Sequence, residues 1–250
     1  MRVAGVDGCP GGWVAVVREI DGPVVFIGRI VHLTALIDPP EAPAIIAVDM
    51  PIGLPARTGP GGRAPERLVR PLLGQRQSSV FSIPARAAVE AGVAPGVPEA
   101  ERYRAACALA RASSAHGKAV SRQGFHIFPK IVEIDALLRA RPELAARIHE
   151  CHPEVSFRFM QGAPVPVAKK VAGRPNPEGL EHRRTLLESH GFPAEAMSAA
   201  QARALKVGPD DLIDACAAAW TAQRIARGMA ASFPSPPERD EHGLPVAIWA

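Results

Sequence analysis

Two short apolar runs, Arg2–Val6 and Ala44–Val48, are each followed at once by an aspartate, Asp7 and Asp49. A strand that ends on a charge restricts the fold more than anything else in the chain. The run AIIAV lacks polar alternation, the mark of a strand covered on both faces as parallel sheets require. A carboxylate at the end of such a strand is costly unless something pairs with it. After Asp7, the segment Gly8-Cys9-Pro10-Gly11-Gly12 permits a tight reversal, so Gly12–Ile20 reads as a second strand folded back on the first. Gly22-Pro23 then makes a turn, Val24–Ile30 a third strand, and His32–Ile37 a short helix ended by Pro39-Pro40. The opening is thus an antiparallel meander followed by a helix and a buried strand.

If the strands ending in Asp7 and Asp49 are parallel neighbours, they lie about 4.8 Å apart and their carboxylates crowd one edge of the sheet. Two anions that close repel unless a cation sits between them. An all-oxygen ligand set points to Mg2+ or Mn2+. The competing reading of Asp7-Gly8 is a hairpin cap without chemistry.

Near the other end, Gly208-Pro209 breaks the chain and Asp210–Trp220 opens a helix that runs to about Arg227. Asp211 and Asp214 are three residues apart and share a face. Ala215, Ala217 and Ala218 allow this helix to approach the sheet closely. Asp210 and Asp211 have a structural explanation as cap and first-turn acids, whereas Asp214 has none.

The segment between these anchors carries a charge asymmetry. The net charge is +4, but Arg57–Lys130 holds 12 Lys or Arg against 4 Glu, a local excess of +8. Such a block attracts polyanions, nucleic acid first among them, although a solvated basic face has the same composition. Within it, Glu66–Leu73 reads as a helix despite Pro71, Gly74–Phe81 as an exposed loop, Pro98–Ala115 as a helix and Ser121–Pro129 as a loop. Arg76, Ser78, Ser79 and Arg122 are the side chains suited to phosphate contacts.

Further on, Lys130–Arg141 is amphipathic at helical spacing, Ala145–Cys151 reads as a strand, and Pro153 with Glu154 makes a helix N-terminus. His149 and His152 have an H-x-x-H spacing that a strand turns to opposite faces. Ala163–Pro177, with Lys169 and Lys170, reads as a surface loop, Gly179–His190 as a helix, Phe233–His242 as a mobile linker and Leu244–Trp249 as a short strand.

With 250 residues and 47% hydrophobic content, the chain can bury a full core as one domain. It has no run long and apolar enough to span a bilayer and no secretory h-region at its start. Cys9, Cys107, Cys151 and Cys216 form no C-x-x-C pair, which leaves free thiols suited to a reducing cytoplasm. A soluble cytoplasmic protein without a membrane partner is the expectation.

The motifs V-D7-G-C-P-G-G-W, A-V-D49-M-P-I-G-L, S-S-V-F81, P-K-I-V-E133, H-P-E154-V-S-F and D211-L-I-D214-A, in this order, are similar to those of the domain of unknown function 429 family, described as predicted nucleases of RNase H fold. The terminal D-x-x-D-A resembles that of RuvC-type junction resolvases. The resemblance implies a single RNase H-like α/β domain over residues 1–250: a five-stranded mixed sheet, with an insertion or lid at about 53–129 and a C-terminal extension at about 233–250. It implies a metal-dependent nuclease in which Asp7, Asp49, Asp211 and Asp214 are catalytic and Asp7, Asp49 and Asp214 bind metal. The RuvC-type pattern has a glutamate where this chain has Asp49. Glu154, Glu133 and Lys130 are second-tier candidates. Two alternatives stay open: a nucleotide-binding ATPase or kinase-like protein of the same fold, with Gly8, Gly11 and Gly12 cradling phosphate, and a non-catalytic nucleic-acid-binding module.

Overall fold

The computed structural model describes residues 1–250. The meander consists of β1 (Arg2–Cys9), β2 (Gly12–Glu19) and β3 (Val24–Ile30), and a single 3-10 turn at Leu33–Leu36 precedes β4 (Ile45–Val48). Next come α1 (Ala64–Val69), a run of 3-10 turns at Arg70–Ser79, α2 (Arg86–Ala91), α3 (Glu99–Ser113), α4 (Arg122–His126) and α5 (Phe128–Ala140). The chain returns to the sheet as β5 (Ile148–Glu150), which leads directly into α6 (Pro153–Gln161). A small ribbon, β6 (Lys170–Val171) and β7 (Arg174–Pro175), is followed by α7 (Pro177–Ser189), α8 (Ala199–Leu205), α9 (Pro209–Ala226), β8 (Ser232–Arg239) and β9 (Pro245–Trp249).

The main sheet has the order β3-β2-β1-β4-β5. β1 pairs antiparallel with β2 and parallel with β4, with Val6 opposite Val48, and β5 is parallel to β4. The Asp49 amide donates to the Val6 carbonyl at 2.9 Å, which carries the ladder to the ends of both strands and sets Asp7 and Asp49 side by side. This mixed five-stranded sheet flanked by helices is an architecture consistent with the RNase H-like fold.

Strand alternation divides the core into two layers. Ala4 and Val6 of β1 and Trp13, Ala15 and Val17 of β2 pack with Phe128, Ile131, Ile134 and Leu138 of α5. Val14 and Val16, from the other face of β2, pack with Leu212, Ile213, Cys216 and Trp220 of α9. The helix α9 lies almost on the backbone of β1. A Cβ added to Gly5 would stand 1.9 Å from the Ala219 amide nitrogen and 2.2 Å from the Ala215 carbonyl oxygen, so glycine there and alanines opposite are what allow the approach.

Three segments differ from the reading of the sequence. Phe233–His242 is not a mobile linker: Ser232–Arg239 is a strand paired antiparallel with β9. Its Pro234, Pro236 and Pro237 lack amide donors, so the ladder is kept only at its ends, with Ser232 opposite Trp249 and Arg239 opposite Pro245. Ser121–Pro129 is not a loop, because Ser121 Oγ accepts from the Gly124 amide at 3.0 Å and starts α4. The helix expected at Glu66–Leu73 begins at Ala64 and passes into 3-10 turns after Val69, where Pro71 removes a donor. No helix is long and apolar enough to cross a membrane.

Candidate metal centre

Three elements deliver one carboxylate each to the C-terminal edge of β1 and β4. Asp7 lies two residues before the end of β1, Asp49 follows β4, and Asp214 projects from the second turn of α9. One oxygen from each of the three lies within 4.8 Å of the other two. The site is closed: Asp7 is 8% and Asp214 3% exposed, and Asp49 is half-buried. Asp7 Oδ1 accepts from the Gly8 amide at 2.7 Å, while the buried Asp214 Oδ1 has no hydrogen-bond partner.

Electrostatics express the crowding. Burial first, and then the charges of Asp49 and Asp214, push the Asp7 carboxyl well above its ordinary value. Burial raises Asp49 to about 7 against the opposing pull of Lys169, and Asp214 is raised to about 7 in the same way, with Asp49 adding repulsion. Three buried carboxylates and an orphaned oxygen lack positive charge. An all-oxygen set of this size fits a hard divalent cation.

The cation already paired at the cluster is Lys169, which the sequence marks only as part of a basic surface loop. Its ammonium pairs with Asp214 Oδ2. Burial works against the charged form of Lys169, but Asp214, Glu154 and Asp7 outweigh it and hold the proton. The segment carrying Lys169 is clamped from below. Arg183, fully buried, donates to the Val167 carbonyl at 2.9 Å, and Asn176 Nδ2 donates to the Ala168 carbonyl at 2.9 Å.

The other candidates fall into distinct roles. Asp211 stands one turn before Asp214, but its Oδ2 accepts from the Gly208 amide at 3.1 Å, so it caps α9 and lies outside the three-carboxylate cluster. Glu154 is taken up by Arg183, whose Nη2 reaches both carboxylate oxygens at 2.7 Å; it reaches the site through the clamp on Lys169. Glu133 accepts from Trp13 Nε1 at 3.1 Å and from the Leu33 amide at 2.9 Å, tying α5 to the meander. Lys130 lies over the Trp13 ring at 4.4 Å and donates to the Gly12 carbonyl, and its side chain lines the cavity that contains Asp7 and Asp49. His149 stacks edge-on against Trp249, while His152 Nε2 is 3.3 Å from the Ser79 carbonyl; the two rings do not share a ligand position.

The proposed phosphate contacts separate likewise. Ser79 lines the acid cavity, and its hydroxyl donates to the Arg76 carbonyl at 2.8 Å. Ser78 lines a neighbouring larger cleft. Arg76 and Arg122 line neither cavity; Arg122 stacks on Tyr103 at 4.0 Å and pairs with Glu99. Part of the basic excess is also internal. Arg63 is buried between Glu66 and Glu150, at 2.6 Å from each, and Arg86 is buried against Asp135 and Asp240. The Arg63 network forms a wall of the acid cavity. Arg63 and Glu66 are neighbours at the start of α1, and only the distant Glu150, at the end of β5, completes the network.

The fold and the site define a class: an α/β protein with a mixed five-stranded sheet, consistent with the RNase H-like fold, and a three-carboxylate cluster that could hold a metal ion. The chain belongs to the family described as "Protein of unknown function (DUF429)", whose model matches residues 5–239. No curated protein and no solved structure matches it.

Proposed function

We propose that this protein is a metal-dependent phosphodiester hydrolase, a nuclease, working through Asp7, Asp49 and Asp214. The observation that carries the reading is the convergence of these three carboxylates within 4.8 Å, with one buried oxygen of Asp214 left unpartnered. Mg2+ or Mn2+ held by them would supply an activated water and neutralise charge at the leaving oxygen. The chain's own contribution is to hold the carboxylates in place on two adjacent strands and a helix pressed against them. Lys169 favours the ionised form of Asp214 against the effect of burial and orients it, and the closed cavity limits competing water.

The kinase-like alternative rests on the glycine turn after β1. Around that turn, Arg29 donates to the Pro10 carbonyl at 2.6 Å and Lys130 to the Gly12 carbonyl, bonds that engage its carbonyls and not the amides a phosphate would use. The test is hydrolysis of labelled oligonucleotides and of a chromogenic phosphodiester with magnesium, with manganese and with chelator, alongside an assay for nucleotide triphosphate turnover. Metal-dependent cleavage that Asp7→Asn and Asp49→Asn abolish is expected. Cleavage that survives chelator or either substitution would refute the assignment, and triphosphate turnover alone would favour the kinase-like reading.

A further inference from the structure

The cavity that holds Asp7 and Asp49 is small, about 180 Å³, and Val80, Phe81 and Ile83 of its wall also line a second cleft of about 680 Å³. The larger cleft is bounded by the Gly59–Gly62 turn, by the stretch around Ser78–Pro84 and by Ser114–Ser121. Its ionisable lining groups are Arg70, His116 and Lys118, with no carboxylate among them. Arg70 is engaged in the wall, donating to the Val80 carbonyl at 3.1 Å and to Ser82 Oγ at 2.8 Å. His116 and Lys118 are exposed, and their side chains make no hydrogen bond or ion pair. The half-buried Phe81 adds an apolar surface at the junction of the two cavities.

These features set the size and sign of what can reach the acids. A cleft of this volume matches one small organic ligand, since such pockets usually span about 300–1,000 Å³. The unpaired ammonium of Lys118, beside the Arg70 guanidinium, favours an anion. The acid cavity behind it has room for a phosphoryl group and its cations, whereas a stacked duplex, with a major groove alone about 12 Å wide, does not enter it. On the Asp214 side, Lys169 pairs with the carboxylate.

Building on the hydrolase reading, we propose that the substrate is presented one nucleotidyl unit at a time. The phosphoester lies at the carboxylates and its nucleoside in the cleft between Gly59–Gly62, Phe81 and Lys118. That chemistry is shared by a free nucleotide and by the unpaired end of a strand; the interior of a duplex is excluded.

The test is polarisation of a dye-labelled linear single-stranded oligonucleotide bound to the full chain in magnesium. Competitors are a nucleoside 5′-monophosphate, a linear single strand and a covalently closed dumbbell duplex. The mononucleotide and the linear strand should compete and the closed duplex should not; whichever of the first two competes better identifies the source. Lys118→Glu is expected to weaken binding about tenfold or more, because like charge replaces attraction, while the rise in melting temperature on adding magnesium stays unchanged. Ser114→Trp, which obstructs the cleft, gives a second variant with the same expected loss. Competition by the closed duplex, or full affinity in both variants, would overturn the inference and leave the metal centre standing. Absence of any magnesium response in the wild type would instead remove the hydrolase reading itself.

Discussion

Lys169→Met removes the cation paired with the acid cluster while keeping an unbranched side chain one atom shorter. In the folded protein Asp214 is raised from 3.8 to about 7, so below about pH 6 its carboxyl is mostly neutral and the lysine has little charge to pair with. Above about pH 7 the wild type ionises Asp214 against Lys169. The variant must either bury a bare charge or keep a proton that the solution no longer supplies readily. The second route costs about 1.36 kcal/mol for each pH unit above 7, or about 3 kcal/mol at pH 9. The first is bounded by the cost of breaking a buried ion pair, about 3–5 kcal/mol. At about 2–4 °C per kcal/mol for a chain of this size, the variant should melt within about 2 °C of wild type at pH 6 and about 6–12 °C below it at pH 9. Magnesium should then restore more of the loss in the variant than it adds to the wild type, because it binds only the folded cluster and no longer competes with an ammonium. Scanning fluorimetry at the two pH values, with and without magnesium, reads all four quantities. A melting difference independent of pH would mean that Lys169 acts through packing. A variant that loses its magnesium response would mean that Lys169 builds the metal site and does not substitute for the ion.

Asp214→Asn is expected to abolish the magnesium-induced rise in melting temperature, measured in the same assay; an undiminished rise would remove Asp214 from the ligand set. The metal-free wild type should lose stability as the pH climbs from about 4 to about 7, because the raised carboxyls of Asp49 and Asp214 make the folded state the better proton binder in that window; urea unfolding at stepped pH checks the sign. Arg183→Met strands the buried Glu154 carboxylate and should cost about 3–5 kcal/mol in urea unfolding at neutral pH, with an unchanged value refuting the clamp. Gly5→Ala drives a Cβ into the backbone of α9 and should cost about 3 kcal/mol or more; a melting point equal to that of wild type would contradict the close approach.

What could be read in the sequence were features written locally. Uninterrupted apolar runs marked β1, β2 and β4, and the parallel pairing of β1 with β4 was expected as the arrangement that brings their acids together. Asp7 and Asp49 were visible because a charge ending such a run is anomalous, and Asp214 because capping does not account for it. Features assembled from distant segments left no such trace. Lys169 lies in a basic, proline-rich stretch whose composition describes a solvated loop equally well, and only the grip of Arg183 and Asn176 turns it inward. Arg63, Glu66 and Glu150 meet across 87 residues of chain from Arg63 to Glu150. The prolines of β8 hid a strand because their missing amides imitate a linker, and Asp211 was misleading because one turn of helix separates a capping acid from a cluster acid.

The same close packing that stabilises the fold also creates the charge problem at the site. Gly5 and the alanines of α9 bring the helix onto β1, and that contact fixes how far down the strand Asp214 can reach. With a bulkier residue at position 5 the helix would stand off, Asp214 would move away from Asp7, and the repulsion would ease along with the ability to share a cation. The carboxyls at the site are raised because desolvation, the largest influence on each of the three acids, exceeds what a single lysine offsets. A folded chain with that imbalance gains most from a small ion of high charge density. Lys169 already occupies one side of Asp214 and the unpartnered Oδ1 remains. Under the hydrolase reading, a cation loaded from the cavity that opens toward Phe81 and the larger cleft would stand where an incoming phosphoryl group meets it, and metal and substrate would approach the carboxylates along one path.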